Sequence, residues 1–361
     1  MNILEHRKEI DSLDQKIVQL LNERTTHVLE IGSIKKKAGE EIYAPHREVA
    51  VLRRLCRRNK GPITNDSLKA IYREIMSSAL SLEKTMTISY LGPEATFTHQ
   101  AAIQRFGASL KYNAQKTVAD VFSDVSRNRA DYGVVPVENS TEGVVTHTLD
   151  MFVESDLKIV AQIVLPIRFC LVGSCKMNEI QRLYAHPQAV GQCRFWIQNN
   201  LPKAELIETS SNARSAEIVA QAVHRKGGQR PRIAAITGFL AAEKYDVNVI
   251  ACDIQDLTTN ATRFLVLGRQ CSPATGHDRT SVMLSISDEV GALYRSLAPF
   301  RKYKLNMTKI ESRPSKRKAW EYFFFVDCDG HMNDPKVAKA LTNLSEVCNF
   351  VKVLGSYPNA E

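Results

Sequence analysis

Arg24, Val28, Ile31 and Lys35 fall within an arc of about 60° when residues are set about 100° apart around a helix. Two cations therefore share the stripe that such a helix would bury. A cation kept on an apolar stripe needs a charged partner, and a ligand anion would serve. Leu68, Tyr72, Ile75, Ala79 and Glu83 share a second helical face. A carboxyl held there away from water has a raised pKa and, when protonated, donates a hydrogen bond. Between them, Tyr43-Ala44-Pro45-His46-Arg47-Glu48 places an Arg-Glu pair at a helix start. Farther along, three polar turns could line a cleft: Glu138-Asn139-Ser140-Thr141 after an apolar run, Ala185-His186-Pro187-Gln188, and Asn260-Ala261-Thr262-Arg263-Phe264. Each alone is an ordinary loop.

The elements that must position these residues change character along the chain. Residues 5–38 read as one helix, with Ile10, Leu13, Ile17, Leu20, Leu21, Val28 and Ile31 on a single stripe. Its length of about 50 Å exceeds the width of a small domain, so a helical bundle completed by a second copy is expected. Shorter helices are expected near 46–59 and 66–83, parted by Lys60-Gly61-Pro62. After Thr85, β-rich runs (87–91, 133–137, 158–164, 168–172, 232–236, 263–267) alternate with helical stretches (98–106, 117–129, 212–225). That order predicts an α/β domain with largely parallel sheets, ending near Gly268. Cys271–Asp278 reads as a linker. The remainder follows a βαββαβ order, a ferredoxin-like unit, with Val282, Leu284 and Ile286 alternating as a half-buried strand.

The composition suits two or three globular domains: 361 residues, 44% hydrophobic, 24% charged, with 13 prolines and 17 glycines. Every apolar run stops well short of the ~18–20 residues of a membrane span. Residues 1–14 carry charge and no apolar leader core, so a cytoplasmic protein is expected. Eight cysteines without a C-x-x-C pair are expected to be reduced and buried. No dinucleotide, phosphate-loop or metallohydrolase motif occurs, so neither cofactor nor metal is expected. Lys+Arg exceeds Asp+Glu by 48 − 39 = 9. The basic runs 35–37 and 316–318 read as solvated faces, Lys35 excepted. Without a groove-reading module they do not suggest nucleic acid.

Residues 5–84 resemble the all-helical chorismate mutase module at the N-terminus of bifunctional chorismate mutase/prephenate dehydratases. The likeness implies that Arg7, Arg24, Lys35, Arg47, Glu48 and Glu83 surround chorismate, with Arg7 reaching into the neighbouring subunit's site. Lys35 and protonated Glu83 would bond the breaking ether oxygen. Residues 86–268 resemble prephenate dehydratase in Leu91-Gly92-Pro93-Glu94-Ala95-Thr96-Phe97-Thr98 and in the three polar turns, taken in this order. This implies a two-lobed fold like the periplasmic binding proteins. Thr262 would be the catalytic hydroxyl and Arg263 a carboxylate clamp, with Glu138, Asn139, Ser140, Thr141 and Gln192 lining the cleft. Gly291-Ala292-Leu293 and Glu311-Ser312-Arg313 resemble the phenylalanine site of the ACT domain, where the amino acid binds between subunits and inhibits. The expected organisation is a mutase module at 1–85, a dehydratase domain at 86–270 and an ACT domain at 279–361, in a homodimer or larger homo-oligomer. Two alternatives remain. Alanines at 44 and 79, where the family carries polar contacts, suit a dehydratase with a purely structural bundle. Two-lobed and ACT domains also occur in amino-acid-responsive regulators.

Overall fold

A computed structural model describes residues 2–39, 43–225, 231–315 and 322–359. They form two compact units, one built on the chain up to Thr87 with Arg105–Lys111, the other on Ile88–Gln104 and the chain from Tyr112 onward. The first unit is helical. Helix α1 (Ile3–Ala38) opens on a capping box: the Asn2 side chain accepts from Glu5 N at 3.0 Å and the Glu5 carboxylate accepts from Asn2 N at 2.8 Å. It closes at Gly39 in the left-handed region, with Lys35, Lys36 and Lys37 complementing the negative end of the helix dipole. Helices α2 (Pro45–Arg58) and α3 (Asn65–Glu83) follow, and α3 packs against both α1 and α2. Ile3, Ile10, Leu13, Ile17 and Leu20 on α1 are each more than half exposed. Only Gly32 of this helix is buried.

The second unit begins with a mixed sheet. Strands β1 (Thr87–Leu91), β2 (Lys111–Gln115), β3 (Tyr132–Asn139), the short β4 (Gly143–Val144) and β5 (Lys158–Pro166) are interleaved with α4 (Phe97–Phe106), α5 (Val118–Ser126) and α6 (Thr146–Met151). The chain then crosses to a second lobe. There β6 (Cys170–Gly173), β7 (Arg182–Ala185), α7 (Pro187–Gln192), α8 (Arg194–Asn200), β8 (Glu205–Glu208), α9 (Asn212–Val223), β9 (Ile233–Thr237), α10 (Phe239–Lys244) and β10 (Val249–Cys252) build a sheet of order β10-β6-β9-β7-β8. It returns as β11 (Ala261–Gly268), which enters the first sheet between β3 and β5.

This is the two-lobed fold with paired crossovers that the sequence resemblance implies, but neither sheet is largely parallel. The returning strand β11 is antiparallel to both neighbours, and β6 is antiparallel to β9 and β10. A chain that leaves a lobe and comes back must reverse direction in each sheet. Cys252 and Cys271 are exposed rather than buried.

The C-terminal part has β12 (Asp278–Ser285), α11 (Ala292–Lys302), β13 (Met307–Pro314), β14 (Tyr322–Asp329), α12 (Pro335–Val347) and β15 (Phe350–Pro358), in an antiparallel sheet of order β13-β14-β12-β15. This is the ferredoxin-like βαββαβ arrangement. Strand β12 is buried on both faces rather than half-buried. Leu284 joins Phe300 and Leu344 of α11 and α12, while Met283 joins Val135, Ile159 and Leu265 of the first lobe. The sheet is thus the middle layer of three. β15 lies so close to β5 that any side chain at Gly355 would run into the Ile159 backbone.

Candidate active sites

In the helical unit, α1 and α3 approach each other at Gly32. A Cβ there would lie 2.5 Å from Glu83 Oε2. Glycine inside a helix costs about 1 kcal/mol relative to alanine; here it makes room for the Glu83 carboxyl. Burial pushes the Glu83 pKa up, and nearby Lys35 partly opposes the shift. His46, at the start of α2, is pushed down by burial, then by Lys35 and Arg47. Its Nδ1 and the Nη1 of Arg24 are buried without a hydrogen-bond partner among the described residues. Lys35 thus acts on both Glu83 and His46, and Arg47 on His46, so that cations outnumber the one carboxyl here, and Arg24 shares the α1 stripe with Lys35. Desolvated donors without acceptors are the counterpart of an anionic ligand.

Two expected residues stand apart. Arg7 precedes Arg24 by about 25 Å of helix, beyond side-chain reach of a common ligand in the same chain. Glu48 pairs with Arg105 at 3.0 Å, both nearly buried, and Arg105 also lies over the Tyr43 ring. Arg105 and His46 were not singled out from the sequence: one lies beyond the mutase-like segment, the other inside a motif read for its Arg-Glu pair. Gly32→Ala is expected to raise the thermal stability of the helical unit slightly while lowering its catalytic rate, because the new methyl displaces Glu83. Melting curves and rate measurements on one preparation check both signs.

In the second unit the site is built where β3 and β11 end side by side. The register pairs Thr262 with Asn139 and Arg263 with Glu138. Asn139 Oδ1 accepts from the backbone N–H groups of Thr141 (2.9 Å) and Glu142 (3.0 Å) and from the Thr141 hydroxyl (2.6 Å). Backbone N–H groups can only donate, so they settle which end of the Asn139 amide is which. Its nitrogen must then point the other way, donating to Thr262 Oγ1 (2.8 Å) and Asn260 Oδ1 (2.9 Å). Asn260 in turn donates to Gln192 Oε1 (2.8 Å), and Gln192 donates to Glu142 (3.3 Å). Every polarity in this ring follows from two backbone groups. Its outcome is that Thr262 accepts from Asn139 and has its own proton left to give.

A cleft of about 200 Å³ between the lobes is lined by Gly92, Thr96 and Thr98 on one side and by His186, Gln188 and Ser211 on the other, and Thr262 and Asn139 are not among its lining residues. Short α7 carries both Gln188 and Gln192. Glu94 and Lys244 bridge the lobes at 2.6 Å, and the Phe97 ring packs edge-on to Phe169.

Three cleft assignments need correction. Strand alternation turns Arg263 and Glu138 to the face opposite Thr262 and Asn139. Arg263 donates to Gln162 (2.8 Å), Asp327 (2.7 Å) and Tyr357 (2.8 Å), while Glu138 pairs with Lys309 (2.9 Å). Burial alone would lower the Arg263 pKa, but Tyr357, Asp327 and Glu138 more than reverse this and hold the cation. Ser140 is taken up by the turn, accepting from Ala261 N at 3.0 Å and donating to Thr259 O at 3.3 Å. Asn260 and Glu142, by contrast, join the site; Asn260 lies in a motif already quoted and Glu142 directly follows one.

The ACT-like residues fall on two elements. Gly291 caps α11 in the left-handed region, ahead of Ala292 and Leu293. Glu311, Ser312 and Arg313 lie on β13, an edge strand, where Arg313 meets Asp150 of α6 at 3.3 Å. Val290 and Tyr294 beside them are exposed.

A cationic pocket in a helical unit, a hydroxyl-bearing cleft between two lobes and a ferredoxin-like sheet define a multidomain enzyme acting on small anions. Residues 6–84 match the family model for chorismate mutase type II, 88–272 that for prephenate dehydratase and 280–346 that for the ACT domain. The chain is 48% identical over 361 residues to the bifunctional chorismate mutase/prephenate dehydratase of Aquifex aeolicus, covering 99% of this chain and 98% of that protein. It is 43% identical over 360 residues to the protein of the same name from Neisseria gonorrhoeae, covering 99% and 97%. The crystal structure of prephenate dehydratase from Arthrobacter aurescens in complex with L-Phe is similar at 35% identity with a TM-score of 0.69, over 76% of this chain and 90% of that one. The chain belongs to the bifunctional chorismate mutase/prephenate dehydratase family.

Proposed function

We propose that the helical unit rearranges chorismate to prephenate and that the Thr262 site converts prephenate to phenylpyruvate, with L-phenylalanine inhibiting through the C-terminal domain. The first reaction is unimolecular and pericyclic, so it needs no nucleophile. It needs a pocket that holds a folded dicarboxylate and stabilises charge developing on the ether oxygen. Arg24 and Arg47 would take the carboxylates, and Lys35 with protonated Glu83 the ether oxygen. In the second reaction the ring loses CO2 while its hydroxyl leaves, and aromatisation drives both. The departing hydroxide needs a positioned donor, and the observation that carries this reading is the Asn139 amide, which leaves the Thr262 proton free to serve. The net charge of +9 would steer both dianions.

The exposed apolar stripe of α1 supports a homodimer in which Arg7 serves the partner's pocket. The place of Glu311–Arg313 on an edge strand, and the exposure of Val290 and Tyr294 beside Gly291, support a phenylalanine site completed by a second copy. No described helix is long and apolar enough to cross a membrane.

The test is to supply chorismate alone and follow prephenate and phenylpyruvate separately, with and without L-phenylalanine. Phenylpyruvate formation that slows with the amino acid supports all three parts. Conversion of added prephenate only would reduce the helical unit to a structural bundle. Consumption of neither substrate would favour a sensor.

A further inference from the structure

Thr262 and Arg263 are consecutive on β11, so their side chains leave opposite faces of one strand. The β3/β11 ladder is irregular at this point: Arg263 pairs with Glu138 and Phe264 with Pro136, leaving Val137 as an extra residue on β3. Such bulges re-aim side chains locally. On one face the strands present Thr262 and Asn139. On the other face they present Arg263 and Glu138, and both are held by residues of the C-terminal sheet.

Arg263 donates from Nε to Gln162 on β5, from Nη1 to Asp327 on β14 and from Nη2 to Tyr357 on β15. Ser281 on β12 donates to Asp327 and lies 2.7 Å from the Tyr357 hydroxyl. Lys309 on β13 holds Glu138. All four C-terminal strands thus contribute to fixing two side chains, one of them adjacent to the catalytic threonine. A buried guanidinium bonded at three nitrogens has one orientation, unlike the apolar contacts around it. A cavity of about 20 Å³ borders Arg263, Lys309 and Asp327.

We propose that Asp327 and Tyr357 are positioning residues for the dehydratase reaction: through Arg263 they set the pose of β11, and so of the Thr262 hydroxyl on its other face. This rests on the reading of Thr262 as the donor to the leaving hydroxide. The state of the C-terminal sheet reaches Thr262 by way of one strand, with no ligand contact of its own.

The experiment compares Asp327→Asn, Tyr357→Phe and Arg263→Gln in the full chain, with prephenate kcat and KM measured separately and the thermal unfolding of each preparation as the control for folding. Asp327→Asn is expected to lower kcat about tenfold with KM within about twofold, since small misplacement of a catalytic group costs rate before binding. Tyr357→Phe, which deletes one hydroxyl and keeps the packing, is expected to lower kcat about threefold. Combining Asp327→Asn with Arg263→Gln is expected to cost no more than the worse single change, because both act through one contact. Unchanged kcat in Tyr357→Phe and Asp327→Asn, or additive losses in the double variant, would overturn the proposal. Wild-type turnover of prephenate and the rate of Thr262→Val, measured alongside, report separately on the reading it rests on.

Discussion

Thr262→Val is expected to lower the dehydratase kcat by about 10²–10³-fold, the usual loss when one positioned donor to a developing negative charge is removed. The change keeps the shape of the side chain and deletes only the hydroxyl. It removes the hydrogen bond that would go to the leaving group and strips one Asn139 N–H of its acceptor. KM is expected to move little, because the hydroxyl is most needed once the C–O bond is breaking. Thr262→Ser keeps the hydroxyl and is expected to recover most of the rate. Asn139→Asp offers a second test of the same geometry. A carboxylate at 139 still accepts from the backbone of residues 141 and 142, but its other oxygen accepts where the amide nitrogen donated. The Thr262 proton would then turn inward, and the rate should fall as far as in Thr262→Val although the hydroxyl remains. Retention of rate within fivefold in both Thr262→Val and Asn139→Asp would remove Thr262 from the mechanism. The mutase rate of each variant should stay at the wild-type level.

Much of the scaffold could be read in the sequence because the signals were local. The apolar period alone places α1 to within two residues of its observed bounds. The breaker at Lys60-Gly61-Pro62 separates the next two helices. What the sequence did not show depends on register. Nothing in Asn260-Ala261-Thr262-Arg263-Phe264 says which of two neighbours faces Asn139. That is decided by alternation along β11, by its pairing with β3 more than a hundred positions earlier, and by the extra residue Val137. The family motif therefore points to the right strand ends, yet Glu138 and Arg263 look away from the cleft they were expected to line. Strand β12 was misjudged for a related reason: its alternation was read against solvent, and the first lobe supplies a second apolar surface. Arg105 is a third case, since a residue from beyond the mutase-like segment holds Glu48.

The other large effect is expected in the helical unit, where Lys35→Ala should lower the mutase rate by about 10³-fold and leave dehydration of added prephenate unchanged. Lys35 combines two favourable placements, at the negative end of α1 and beside the Glu83 carboxyl. Its loss removes a cationic donor from an oxygen that gains negative charge only in the transition state. Glu83 supplies an independent check through pH. Burial raises its pKa, so the neutral, donating form persists to higher pH than for an exposed glutamate. If that form is the active one, kcat/KM should be highest at low pH and decline as pH rises through the raised pKa. Glu83→Gln donates at every pH and should flatten this decline while retaining activity. Lys35 holds the Glu83 pKa down, so the residual rate of Lys35→Ala should decline at a higher pH than that of the wild type. A decline that survives Glu83→Gln would assign the titration to another group; Lys35→Ala does not separate the two candidates, because Lys35 lowers the pKa of Glu83 and His46 alike. His46 is the nearest alternative. Burial and the cations Lys35 and Arg47 lower its pKa, so His46→Gln would then abolish the decline in its place.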